Sequence, residues 1–173
     1  MATKILNPDR AVVIALGSNL AGGHGSSEAL LEEALARFPA VGLKILKRSG
    51  WWRSAAWPDP NDPEYRNGVA LVEANAGPQE VLQALLDLEA EMGRDRARRN
   101  APRTLDLDLI AYGRDVLNTP GLILPHPRAH ERLFVMGPLA EIAPEWAHPV
   151  LRRTAADLAA GAQVGADARP VVP

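Results

Sequence analysis

Asp106 and Asp108 stand two residues apart in the run Pro102-Arg-Thr-Leu-Asp-Leu-Asp-Leu-Ile-Ala111, with Arg103 just upstream. Leu105, Leu107 and Leu109 alternate with Thr104, Asp106 and Asp108. Such alternation reads as a strand with the leucines on one face and both carboxylates on the other. Two residues of strand span about 7 Å, and carboxylates at that spacing can clamp two Mg²⁺ ions about 3.5–4 Å apart. Two adjacent like charges on a plain surface strand would gain nothing obvious. The pattern therefore points to Mg²⁺-assisted chemistry on a phosphate. Five arginines fall between Arg94 and Arg103, whereas the lysines are only Lys4, Lys44 and Lys47. A guanidinium offers a planar fork suited to phosphate oxygens. The plain alternative for this run is a solvated charged loop, and its position beside the aspartates favours function.

Other residues carry weaker signals. Gly17-Ser18-Asn19 follows an apolar run and could let the backbone approach a ligand, or could simply end a strand. It is neither a Walker A loop nor a Rossmann fingerprint. His126 lies in Leu124-Pro-His-Pro127, followed by Arg132 and Phe134. His126 and His130 are four apart, but Pro127 intervenes and no H-E-x-x-H occurs, which disfavours a helical zinc pair. His126 reads either as a phosphate donor or as a structural loop histidine. Tyr65 and Phe134 are core residues by default, or platforms for a planar ring. Asn67 shares a strand face with Tyr65, and its amide could read the edge of a heterocycle. No Ser-His-Asp or Cys-His constellation can be picked out.

Behind these residues lies an alternation of elements. Ala11–Leu16 reads as a buried strand. Ser26 or Ser27 can cap a helix running to about Phe38, with Leu30, Leu31, Ala34, Leu35 and Phe38 on one face. Leu43–Ser54 reads as one long strand and Tyr65–Glu73 as another, joined by a loop with Pro58, Pro60 and Pro63 of the kind that often serves function. Gly77-Pro78 opens a second helix, with an apolar stripe from Val81 to Met92 and a stop at Gly93. The arginine run and the aspartate strand follow. Gly113-Arg114-Asp115 is expected to turn that strand into a hairpin through Val116 and Leu117. Pro125–Pro144 suggests short helical pieces broken by prolines, Ala155–Ala160 a terminal helix, and residues 161–173 a loose tail. The order strand, helix, strand, strand, helix, strand predicts an α+β, ferredoxin-like βαββαβ core with a mainly antiparallel sheet. An added C-terminal hairpin and short helices complete it.

The 173 residues suit one domain, with its core over about 11–150. With 47% apolar and 23% charged residues the chain is globular, not disordered. It contains no cysteine, which excludes disulfides and thiolate metal sites. A net charge of −2 argues against a general nucleic-acid binder. No apolar run is long enough to span a membrane, and the start lacks a signal-peptide core. A cytoplasmic monomer is expected.

Four blocks together resemble the 6-hydroxymethyl-7,8-dihydropterin pyrophosphokinases. They are Ala15-Leu-Gly-Ser-Asn-Leu20, Tyr65-Arg-Asn-Gly-Val-Ala-Leu71, Pro102–Asp108, and Leu124–Phe134 with Pro138–Pro144. The resemblance covers about Val12 to Pro149. It implies transfer of pyrophosphate from ATP to the pterin hydroxymethyl group, release of AMP, and two Mg²⁺ ions held by Asp106 and Asp108. It implies that Tyr65 and Phe134 sandwich the pterin and that Asn67 bonds its edge. Ser54, Ala55 and Trp57 would add pterin contacts, mostly through backbone. Arg94, Arg96 and Arg103 would act on the transferring phosphates. Glu89, Arg96, Arg103, His126 and Arg132 would serve ATP, with Leu109 against adenine. The chain departs from the family pattern at Asn100-Ala101, where Trp-Gly is usual. It departs again at Ala97, where a lysine is common, and at Ala55-Ala56, where two prolines are. A nucleotidyltransferase is the nearest alternative, but its Gly-Ser normally lies shortly before its aspartates, and Ser18 is far from Asp106. A non-catalytic ligand-binding domain of the same fold is the other. The presence of Asp106, Asp108, Arg103, Asn67 and Phe134 argues against it.

Overall fold

A computed structural model describes residues 7–19, 26–56, 61, 63–93 and 105–172. In chain order the elements are strand β1 (Val12–Ser18), helix α1 (Ser27–Arg37), β2 (Leu43–Arg48), β3 (Trp52–Ser54) and β4 (Tyr65–Ala74). Then come α2 (Pro78–Gly93), β5 (Asp106–Tyr112), β6 (Leu117–Thr119), β7 (Leu122–Leu124), α3 (Leu133–Ile142), α4 (Ala155–Gly161) and β8 (Arg169–Pro170). The main sheet runs β5-β1-β4-β3-β8, with β2 also on β4, and every neighbouring pair is antiparallel. Among the described residues no helix is long and apolar enough to cross a membrane.

The sheet is covered on both faces, and strand alternation decides which residue meets which helix. Ile14, Leu16, Ala70, Val72, Leu105, Leu107 and Leu109 pack with Leu30, Leu31, Leu85 and Leu88 of α1 and α2. Val13, Ala15, Val69, Leu71 and Ile110 pack with Val135, Met136, Leu139 and Leu158 of α3 and α4. Central β1 is therefore buried along nearly its whole length, which explains an apolar run without alternation. Ser26 caps α1, its Oγ accepting the Ala29 N–H at 3.0 Å, and thereby satisfies one of the helix's orphan donors.

Several expectations need correction. The single strand expected over Leu43–Ser54 is two. Ser49 interrupts it: its N–H still donates to Val69 O at 2.9 Å, but its Oγ accepts the Val69 N–H at 2.9 Å and donates to Gly50 O at 2.7 Å, so a side chain replaces one of the two ladder bonds there. The hairpin after β5 does not pair with β5. Instead β6 pairs with β7 as a separate two-stranded sheet. Between Pro125 and Pro144 two helical pieces form as expected, a 3-10 turn at Ala129–Glu131 and α3, but Pro138 does not break α3, which runs ten residues through it. Burial of Met136, Gly137, Pro138 and Leu139 against the sheet outweighs a helix-interior proline cost of about 3 kcal/mol. Finally, residues 161–173 were expected to be loose. Over the described part they are docked: β8 pairs with β3, and Val171 N–H donates to Trp51 O at 2.9 Å.

Candidate active site

Pairing register aligns the polar groups at one end of the sheet. Asp106 opposes Gly17, Gly17 opposes Asn67, and Asn67 opposes Trp52, so these four form a row across four strands. Directly opposed residues share a face, here the face that α3 and α4 cover farther along. Asp108 lies on the same face, opposite Ala15. Both aspartates are exposed while Leu105, Leu107 and Leu109 are buried, as the alternation in sequence required. A methyl group at Gly17 would lie 3.3 Å from the Asn67 side-chain oxygen, so the floor between Asp106 and Asn67 admits no larger residue without adjustment.

Asn67 is buried and its Nδ2 donates to Ser54 Oγ at 3.0 Å. Tyr65 is half-buried on the same face. Phe134, at the start of α3, packs against the α3/α4 core and has the Arg132 guanidinium 5.8 Å from its ring centroid. Glu89 reaches β5 from α2, where its carboxylate accepts the Leu107 N–H at 2.6 Å, between the two aspartates. Glu89 thus holds β5 in place between Asp106 and Asp108, a contact the sequence did not predict for it. The side chain of Leu109 is not on this face. It is buried with Leu105 and Leu107 toward α1 and α2 because it shares their parity along β5.

A β-bulge positions His126. Val13 pairs with Ala111 and Ile14 with Leu109, leaving Ile110 as the extra residue on β5. The Ile110 carbonyl accepts the His126 N–H at 2.8 Å. His126 Nδ1 accepts the Arg128 N–H at 3.1 Å, so the neutral ring carries its proton on Nε2. Burial pushes the His126 pKa below the usual histidine range. Arg132, Arg128 and His130 add to that, while Asp108 opposes it. The ring is therefore a neutral donor within electrostatic reach of both Asp108 and Arg132.

Trp57, Arg94, Arg96 and Arg103 lie outside the described residues, as do Ala97, Asn100 and Ala101. Among the described residues no three His, Cys, Asp or Glu side chains cluster as a metal cage. Two accessible oxygen donors on one strand face suit Mg²⁺, which keeps water and shares its ligands with substrate phosphates. Sequence reasoning missed two residues at this end. The Asp167 carboxylate accepts the Ala55 N–H at 2.7 Å, and Gly165 lies against the Phe134 ring. Nothing in the composition of the tail signals either.

The fold and this face define a mixed α/β domain with one polar, ligand-accessible end. The chain belongs to the 7,8-dihydro-6-hydroxymethylpterin-pyrophosphokinase family, whose model matches residues 13–144. It is 42% identical over 138 residues to a 2-amino-4-hydroxy-6-hydroxymethyldihydropteridine pyrophosphokinase from Synechocystis, covering 79% of this chain and 68% of that one. A protein of the same name from Pseudomonas aeruginosa is 39% identical over 134 residues, covering 78% and 81%. The crystal structure of Plasmodium falciparum HPPK-DHPS superposes with a TM-score of 0.66 at 13% identity. That match covers 87% of this chain and 44% of that one, and at such identity it concerns the fold alone.

Proposed function

We propose that the polar end of the α3/α4 face is where this pyrophosphokinase transfers diphosphate from ATP to 6-hydroxymethyl-7,8-dihydropterin, giving the pterin diphosphate and AMP in folate biosynthesis. The observation that carries this reading is the row Asp106–Gly17–Asn67. Neighbouring strands lie about 4.8 Å apart, so Asp106 and Asn67 are separated by about 10 Å. A bicyclic ring whose edge meets Asn67 can reach β5 with its hydroxymethyl arm across that distance. Gly17 leaves the path between them clear.

In this reading Tyr65 and Phe134 flank the pterin ring, and Ser54, Ala55 and Trp57 complete its slot. Asp106 and Asp108 would hold two Mg²⁺ ions. When bound, these neutralise the triphosphate and polarise its oxygens. Glu89 fixes β5 through Leu107 N–H, which keeps the two carboxylates at strand spacing. His126 donates Nε2–H to a phosphate oxygen, and its lowered pKa keeps it a neutral donor at pH 7. Arg132 adds positive charge beside it. Arg94, Arg96 and Arg103 stabilise charge developing on the transferring group and on AMP. Leu109 meets adenine only through its backbone. The pterin hydroxyl oxygen attacks the β-phosphorus in line. Its new O–P bond forms as the bond to the oxygen shared with the α-phosphate breaks, AMP leaves with that oxygen, and the hydroxyl proton is released to solvent. The strand order also supports reading β1, α1, β2, β4, α2 and β5 as a ferredoxin-like core, with β3, β8 and the β6–β7 hairpin added.

Incubation with ATP, Mg²⁺ and the pterin, followed by product analysis, tests the reaction. AMP and a pterin diphosphate in equal amounts are expected. Released inorganic pyrophosphate with a nucleotidylated acceptor would instead identify a nucleotidyltransferase.

A further inference from the structure

The C-terminal segment from Val164 to Val171 lies beyond the residues matched by the family model, yet it binds both walls assigned to the pterin slot. Val164 brackets Arg132, its N–H donating to Glu131 O at 3.0 Å and its carbonyl accepting the Leu133 N–H at 2.9 Å. One residue on, Gly165 takes φ +66°, and a Cβ built there would clash with the Phe134 ring. A left-handed backbone and direct ring contact together require glycine. A turn closed by Ala168 N–H to Gly165 O, 2.9 Å, then presents Asp167. Its carboxylate accepts the Ala55 N–H at 2.7 Å across a separation of 112 residues. Arg169 and Pro170 continue as β8, opposite Arg53 and Trp52.

We propose that this segment is a strap that sets pterin affinity, with Asp167 and Gly165 as positioning residues. The inference rests on the assignment of Ala55 and Phe134 to the pterin slot. The loop after β3 and the start of α3 are remote in sequence, and the strap joins them directly. Asp167 fixes the height of the Ala55 backbone. Gly165 fixes how closely the Phe134 ring approaches the strap, and so how far it stands from Ala55. Asp167 and Gly165 themselves meet Ala55 and Phe134, which are assigned to the pterin, so substituting them acts first on the pterin.

Asp167→Ala, Asp167→Asn and Gly165→Ala are compared with Asn67→Ala in the full-length enzyme. The readouts are KM for each substrate, kcat, Tm, and equilibrium binding of the pterin with a non-hydrolysable ATP analogue present. A charged hydrogen bond to backbone is strong enough for its loss to cost about tenfold in affinity. Asp167→Ala is expected to raise the pterin KM and Kd about tenfold, with ATP KM unchanged and Tm lowered only slightly, since the Ala55 N–H it leaves is exposed to water. Asp167→Asn keeps an oxygen acceptor and should recover most of that loss. Gly165→Ala should shift the pterin constants in the same direction. Unchanged pterin constants in Asp167→Ala, or equal rises in both substrates' KM, overturn the strap. If Asn67→Ala weakens the pterin while the strap variants do not, the strap alone fails. If Asn67→Ala is also without effect, the pterin assignment fails with it.

Discussion

Acidification should destabilise this protein chiefly through His148, a histidine outside the assigned site. His148 is only 6% exposed, and its Nδ1 accepts the N–H groups of Val150 and Leu151 at 3.2 and 3.0 Å. Its ring meets Trp146 and His130 edge-on, with centroids 5.9 and 5.6 Å away. Burial first, then the charges of His130 and Arg114, lower its pKa from 6.5 to about 4. Between those values the unfolded chain binds a proton that the folded protein refuses. Stability is therefore complete above pH 6.5, falls as pH drops through the window, and levels off below about pH 4. From pH 7 to pH 5 roughly 1.5 units of the window are crossed, at about 1.4 kcal/mol each, so the loss is about 2 kcal/mol. Urea denaturation at both pH values measures it as a midpoint shift of about 1 M. His148→Asn retains an acceptor for the two backbone N–H groups but does not titrate. Its loss over the same pH step should be smaller than the native protein's by about 2 kcal/mol. Equal losses in the two proteins would refute the assignment, since every other titrating group is common to both.

Three further outcomes follow from the packing. Glu89→Ala strips Leu107 N–H of its 2.6 Å acceptor and should lower stability by about 1–3 kcal/mol, read by urea denaturation, with kcat falling more than either KM changes. Gly68→Ala would place a methyl 2.5 Å from Trp51, a ring already held by Arg48 at 4.7 Å and by a 3.0 Å hydrogen bond to Glu32. A loss of about 1–3 kcal/mol is expected, seen as a lower Tm. Phe134→Ala should weaken pterin binding at least tenfold, while ATP binding, followed by calorimetry, changes little.

Much of this arrangement is legible in the sequence, for reasons that particular residues make clear. The alternation Leu105–Leu109 has period two, which separates the aspartates from the core without reference to any tertiary contact. The unbroken apolar run at β1 signals a buried strand, and the pair Ser26-Ser27 signals the start of α1, where Ser26 is the cap. What was not legible depends on partners remote in sequence. Ser49 divides β2 from β3 only because Val69 N–H lies opposite its hydroxyl. Helix α3 passes through Pro138 only because its neighbours find a sheet to cover. The row Asp106–Gly17–Asn67 is fixed by register between three strands, and no local pattern encodes register. The tail offers β8 just two residues, too few for a periodic signal, and Asp167 gains its meaning only from Ala55. The bulge at Ile110 that seats His126 is likewise a property of the pair of strands.

The central claim is that Asp106 and Asp108 hold two metal ions beside the triphosphate. Counting bound Mn²⁺ per chain by electron paramagnetic resonance, with a non-hydrolysable ATP analogue present, tests it most directly. Two ions are expected for the native chain, and fewer for Asp106→Ala and Asp108→Ala, with AMP formation in each variant reduced at least a thousandfold. Two ions still bound in both variants, or AMP formed at near-native rates without either carboxylate, would contradict the account.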